Sequence, residues 1–123
     1  MLTDLLKSID KIYIAYGATD FRKETYSLCS IVQNNFKLSL YDKTAFIFCN
    51  KKRTSIKILC YDKNGFILAQ KTLINGSKMK FQWPRNANEM KLITKEQLTW
   101  LLSGLDICPK KYFEDVEPKK IVA

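Results

Sequence analysis

Runs of β-branched and aromatic residues divide much of the chain into segments of strand length. Each run stops at residues that favour turns, and Pro84, which lacks a backbone donor, ends the last one. The pattern predicts strands over residues 11–17, 44–49, 54–62, 66–73 and 78–83. Short turns join the last four, so we expect them to form an antiparallel meander.

The hairpin in the middle of this meander has a register that the sequence predicts. Asn64-Gly65 favours a tight turn because both residues tolerate positive φ. With a loop of two or four residues, one face is apolar and is predicted to be core: Ile56, Ile58, Cys60, Ile67 and Ala69. The opposite face is predicted to be a mixed surface: Lys57, Leu59, Tyr61, Leu68, Gln70 and Thr72.

Two segments have helical periodicity. Thr19 is expected to cap the first helix, and Asp20 to complement the positive end of its dipole. A second helix is predicted after Thr94, which forms a capping box with Gln97, and Gly104 is expected to end it. The apolar faces of the two helices are predicted to be buried through Phe21, Leu28, Val32, Leu98, Leu101 and Leu102.

The fold class that follows is α+β, an antiparallel sheet of four to five strands with two helices packed against it. The 123 residues are 46% hydrophobic, enough for one core, and no glycine-rich linker divides them. We predict a single domain over residues 1–108 and a flexible tail over residues 109–123. Because no apolar run has the length of a membrane helix and the N-terminus lacks the apolar stretch of a signal peptide, the predicted location is cytoplasmic.

The positive charge is concentrated in one third of the chain. The net charge is +9, and residues 43–85 hold ten lysines and arginines but a single acid, Asp62. Elsewhere, eleven cations and eleven anions cancel. Such a segregated charge predicts an electrostatic footprint for a polyanion or for an acidic partner.

Few of the groups that enzymes use are present. The sequence has no histidine and no motif of a nucleophilic, phosphate-binding or metal site. Asp62 opens an Asp-Lys-Asn-Gly turn, where aspartate is the ordinary choice. The cysteines lack the spacing of a zinc site and are expected to be buried reduced thiols: Cys29, Cys49, Cys60 and Cys108. We therefore predict a protein that is not an enzyme and needs no metal or cofactor.

Aromatic residues are interleaved with the cations of the basic segment. Such a ribbon can follow a phosphate backbone while its rings stack on splayed bases. The alternative is a solvated sheet face on which lysines prevent edge pairing. The predicted nucleic-acid contacts are Arg22, Lys23, Lys51, Lys52, Arg53, Lys57, Tyr61, Lys80, Trp83 and Arg85.

Arg22 and Lys23 enter that set for a separate reason. In the first turn of the predicted helix they would oppose its dipole, and an external anion would offset the cost. The alternative is an ordinary helix start with no ligand.

The order of these motifs resembles that of a known family. The chain contains a strand ending in glycine, then TDFRK, FIFCNKKRTSIKILCYDKNGFIL, KFQWP and a closing LITKEQLTWLLSGLDI. In this order they resemble the TnpB-type, Orf2-like accessory proteins of the sixty-six-type family of bacterial insertion sequences, over roughly residues 12–107. Where the family usually has a glycine after Arg-Lys, this chain has Glu24, an acid able to pair with Lys23 or Lys11.

The resemblance implies an auxiliary role in transposition beside a separate transposase that carries out the chemistry. Two hypotheses follow. In the first, the chain is a non-catalytic factor that binds DNA through its basic hairpin surface and assists the transposase complex. In the second, it is an adaptor that docks an acidic surface of the transposase without binding DNA. A nuclease is a third and weaker hypothesis, because the sequence shows no set of converging acids that would hold magnesium.

Overall fold

The computed structural model describes residues 6–75, 79–85 and 89–103. In this part of the chain the elements are β1 (Lys11–Ala15), α1 (Thr25–Ser30), a π-helix (Ile31–Asn35), β2 (Thr44–Cys49), β3 (Ser55–Asp62), β4 (Gly65–Thr72), β5 (Met90–Ile93) and α2 (Lys95–Leu102). The α+β class is confirmed. The predicted tail and the residues Gly104 and Cys108 lie outside the described residues.

The five strands form one sheet in the order β4-β3-β2-β1-β5. Three of the four pairings between neighbouring strands are antiparallel, as predicted, but β1 and β2 are parallel, with Ile12 opposite Ala45 and Ile14 opposite Ile47. Parallel neighbours require a long crossover, and residues 16–43, which include α1, supply it. This crossover places α1 on one face of the sheet.

The register predicted for the central hairpin is confirmed. Ile58 pairs with Ala69 and Cys60 with Ile67. The two-residue loop is Lys63-Asn64 rather than Asn64-Gly65, because Gly65 already pairs with Asp62 as the first residue of β4. Lys63 takes the left-handed backbone that the turn needs, with φ of 55°.

Two other sequence predictions are wrong. No strand forms over the described part of residues 78–83. Phe81 and Trp83 are buried there, and Phe81 N donates to the Arg53 carbonyl at 2.9 Å. The fifth strand is instead β5, which pairs antiparallel with β1. The first helix begins at Thr25, six residues after the predicted cap, and the carbonyls of Phe21 and Lys23, which a helix from Thr19 would use for its own hydrogen bonds, accept from Lys57 Nζ instead. Arg22 and Lys23 therefore do not lie in a helical turn.

Both faces of the sheet are covered. One face packs against α2 through Ile14, Ile47 and Ile58, and the capping box of α2 is confirmed by Gln97 N donating to Thr94 Oγ1 at 3.0 Å. The other face packs against α1 and the crossover through Phe46, Phe48, Leu59, Leu28 and Val32. The face predicted to be a mixed surface is thus buried at Lys57 and Leu59. Of the helix residues predicted to be buried, Leu28, Val32, Leu98 and Leu101 are buried, and Phe21 and Leu102 are half-buried.

Candidate nucleic-acid interface

The loop between β2 and β3 carries three consecutive cations and is organised by one asparagine. Asn50 Oδ1 accepts a hydrogen bond from Thr54 N at 2.9 Å, and Asn50 Nδ2 donates to Thr54 Oγ1 at 3.0 Å. The Asn50 carbonyl accepts from Arg53 N at 3.1 Å. Because these bonds fix the loop backbone, the exposed Lys51 and Lys52 project from a well-defined turn.

Two arginines lie at this loop, Arg53 within it and Arg85 beside it. Arg53 has a left-handed backbone, with φ of 61°, and a half-buried side chain whose Nε is buried without a hydrogen-bond partner. Arg85 is exposed, and its Nη2 donates to the Lys51 carbonyl at 2.5 Å. Burial raises the pKa of the Cys49 thiol to about 12, and the charges of Arg85 and Arg53 act in the opposite direction. Both arginines therefore lie near the end of β2.

The chain after β4 adds cations to the same end of the sheet. Leu73 N donates to the Thr54 carbonyl at 2.8 Å, and Phe81 N donates to the neighbouring Arg53 carbonyl. Lys71 and Lys80, both exposed, stand within two residues of these contacts. The basic end of the sheet is defined here as Lys51, Lys52, Arg53, Lys71, Lys80 and Arg85. The ion pairs between described residues involve none of these six cations.

Lys57 was predicted to face solvent and contact phosphate, and this is wrong. Its side chain is 4% exposed, and Nζ donates to the Phe21 carbonyl (3.0 Å), the Lys23 carbonyl (2.9 Å) and Glu24 Oε2 (3.0 Å). The ammonium also lies 4.9 Å from the centre of the Phe21 ring. All three of its donors are used, so Lys57 attaches the segment 19–24 to the sheet and is not available to a ligand. Glu24 pairs with Lys57 rather than with Lys23 or Lys11.

The segment attached by Lys57 carries two exposed cations, Arg22 and Lys23. Arg22 forms an ion pair with Asp20 at 2.7 Å, and Arg22 N donates to Asp20 Oδ1 at 3.0 Å. These hydrogen bonds from Arg22 lower the pKa of Asp20 to about 2. Since the carboxylate neutralises much of the charge of Arg22, Lys23 is the freer of the two cations.

The two aromatic residues of the predicted interface do not join the basic end. Trp83 is 4% exposed, and its Nε1 donates to the Ala15 carbonyl at 2.7 Å, so its ring cannot stack on a base. Tyr61 is half-buried near the far end of β3, where its hydroxyl donates to the Lys63 carbonyl at 2.6 Å. Tyr61 lies six positions along β3 from Ser55, a distance of about 20 Å.

Of the ten predicted contacts, five are brought together at the basic end: Lys51, Lys52, Arg53, Lys80 and Arg85. Lys71 was missed as a contact, although it lies in the basic segment, because its place beside the loop depends on the pairing of β4 with β3. The three described cysteines are buried, as predicted, and burial raises their pKa: Cys29, Cys49 and Cys60.

Across residues 6–75, 79–85 and 89–103, no group of three or more Cys, Asp or Glu side chains could hold a metal ion. In the same part of the chain, neither helix has the length and apolar character needed to cross a bilayer.

Comparison with known proteins gives one match. The family model described as IS66 Orf2 like protein matches residues 10–112. No match was found among curated proteins or among solved structures. Because the family match spans most of the 123 residues, the chain belongs to the IS66 Orf2-like family of accessory proteins of insertion-sequence transposition.

Proposed function

We propose that this chain is a non-catalytic accessory factor of transposition that binds DNA through the basic end of its sheet and assists the transposase complex. The observation that carries the proposal is the set of six cations there that form no ion pair with any described residue. Unpaired cations gathered at one end attract a polyanion, since each phosphate that they neutralise releases counterions.

The way the cations are held supports the same proposal. They come from three stretches of chain, the β2–β3 loop, the end of β4 and residues 80–85, which backbone hydrogen bonds join at the Arg53 and Thr54 carbonyls. Their backbone spacing is therefore set before any ligand arrives, which lowers the entropic cost of binding. Phosphate contacts of this kind position a protein on DNA without reading its sequence.

The test compares two double variants with the same change in charge. In Lys51→Ala/Lys52→Ala, the slope of log affinity against log salt for plain duplex DNA should fall by about 2, because two phosphate contacts are lost. The control, Lys11→Ala/Lys95→Ala, removes two exposed lysines away from the basic end and should keep the wild-type slope. Both variants should unfold within about 0.5 kcal/mol of the wild type.

Two outcomes would contradict DNA binding at this site. If Lys51→Ala/Lys52→Ala no longer binds the transposase while its DNA affinity and salt slope are unchanged, the adaptor hypothesis is correct. If neither interaction changes, the basic end is a solvated surface.

A further inference from the structure

Two apolar side chains project beside the basic end. Ile74 is 84% exposed and Met79 is 53% exposed. Exposed aliphatic side chains are common on protein surfaces when they are scattered, so exposure alone decides nothing. Their position in the fold is what distinguishes these two.

Ile74 and Met79 are separated by four residues in the part of the chain that follows β4, and backbone hydrogen bonds to β2–β3 loop residues hold the chain before Ile74 and after Met79. Leu73, which precedes Ile74, is half-buried against the core and donates its N–H to the Thr54 carbonyl. Phe81, two residues after Met79, is 1% exposed and donates its N–H to the Arg53 carbonyl. Because Arg53 and Thr54 are adjacent, the backbone just before Ile74 and just after Met79 is anchored at the same point of the basic end.

Cations flank both side chains. Lys71 lies three residues before Ile74, Lys80 follows Met79 directly, and Arg53 supplies the carbonyl that holds one stem. An exposed apolar side chain next to cations that form no ion pair with described residues fits the surface of duplex DNA, which presents phosphates on both sides of a groove floored by stacked bases. A purely apolar partner surface would leave those cations without counter-charges.

We infer that Ile74, with Met79 beside it, enters the minor groove as a wedge and partly unstacks one base step, so that the protein kinks the DNA it binds. The inference rests on the proposed function, since the cations must first hold the duplex. Apolar side chains of this type are used to kink DNA toward the major groove, and flexible pyrimidine–purine steps yield most readily. The partner is therefore a bendable duplex rather than any polyanion.

The experiment uses the full chain and two short duplexes of equal length, one with a central TA step and one with a central A-tract, each carrying a fluorophore at both ends. Wild-type protein should shorten the end-to-end distance of the TA duplex and bind it more tightly than the A-tract duplex. Ile74→Ala should abolish the shortening and weaken binding to the TA duplex about tenfold, with the salt slope unchanged. Ile74→Leu keeps the apolar volume and should bend the duplex as the wild type does.

Leu92→Ala is the matched control, because Leu92 is 59% exposed on β5, at the opposite edge of the sheet. It should leave affinity and bending unchanged. The inference is wrong if Ile74→Ala bends and binds the TA duplex like the wild type. If Ile74→Ala loses only its binding to the transposase, Ile74 contacts protein rather than DNA. If the wild type binds neither duplex in a salt-dependent way, the proposed function fails as well, which separates the two results.

Discussion

The substitution Lys57→Met tests whether a buried ammonium holds the segment 19–24 on the sheet. Methionine keeps much of the length of lysine and removes the charge and three donors. Those donors reach the carbonyls of Phe21 and Lys23 and the carboxylate of Glu24, at 2.9–3.0 Å. The change therefore removes hydrogen bonds with little change in volume.

The expected loss of stability follows from what replaces the Lys57 ammonium at each of its three acceptors. The Glu24 side chain is 73% exposed, so water replaces the lost partner, and the pair itself contributes no more than about 1 kcal/mol. The carbonyls of Phe21 and Lys23 lose a charged donor, at about 1.5 kcal/mol each, the low end for a charged hydrogen bond because these bonds are only partly buried. Part of the desolvation cost of the ammonium is recovered. We expect Lys57→Met to lower the free energy of unfolding by about 2–3 kcal/mol and the Tm by about 10 °C.

Denaturant unfolding measures the global change, and limited trypsin digestion measures the local one. Cleavage after Arg22 and Lys23 should accelerate in Lys57→Met, because the segment is released before the sheet unfolds. Lys52→Met, the same chemical change at an exposed loop position, should stay within about 0.5 kcal/mol of the wild type. Glu24→Gln should cost less than about 1 kcal/mol. The reasoning is refuted if Lys57→Met matches Lys52→Met in both stability and cleavage.

Two further predictions concern titration. Arg22→Ala should raise the pKa of Asp20 from about 2 towards 3.8, because the hydrogen bonds from Arg22 are lost, and an NMR titration of the carboxyl carbon would show no change if this pair did not form in solution. Burial holds the Cys49 thiol protonated in the folded state, whereas the unfolded thiol ionises near pH 9, so stability should fall as pH rises from 9 towards 12. The difference in unfolding free energy between wild type and Cys49→Ala should therefore shrink over that range. A constant difference would argue against a raised pKa for the Cys49 thiol.

The local parts of the fold could be predicted from the sequence. The hairpin register follows from alternation, and the capping box of α2 follows from two side chains three residues apart, Thr94 and Gln97. The β2–β3 loop also follows from local composition, since polar residues interrupt two apolar runs. Each of these depends on residues that are near one another in the chain.

The wrong predictions all depend on contacts between distant segments. β5 is a four-residue strand with lysine and methionine among its members, and its pairing with β1 has no local signal. The late start of α1 has the same origin, because the carbonyls of Phe21 and Lys23 accept hydrogen bonds from Lys57 Nζ on β3. Local propensity favoured a helix there, and the tertiary contact overrode it.

The burial of Lys57 could have been predicted from the sequence with one further step. The register placed it on the same face as Leu59, and the strand it lies on is apolar on both sides of it, in SIKILC. A lysine in the middle of such a strand is a candidate for a buried, paired ammonium rather than a surface cation. What the sequence could not show is that the β1–β2 crossover covers that face, because the parallel pairing of those strands joins residues more than thirty positions apart.

The distinction between paired and unpaired cations changes the size of the surface that can meet a polyanion. Counting lysines and arginines over residues 43–85 gives ten, but Lys57 is buried in a hydrogen-bonded pair. Outside that segment, Arg22 is paired with Asp20, and Lys91 with Glu89 at 3.2 Å. The basic end retains six cations, which can neutralise about six phosphates and give a salt slope no steeper than about −5. We therefore expect the proposed affinity for duplex DNA to depend on this small, defined set of side chains, so that removing two of them lowers the salt slope measurably.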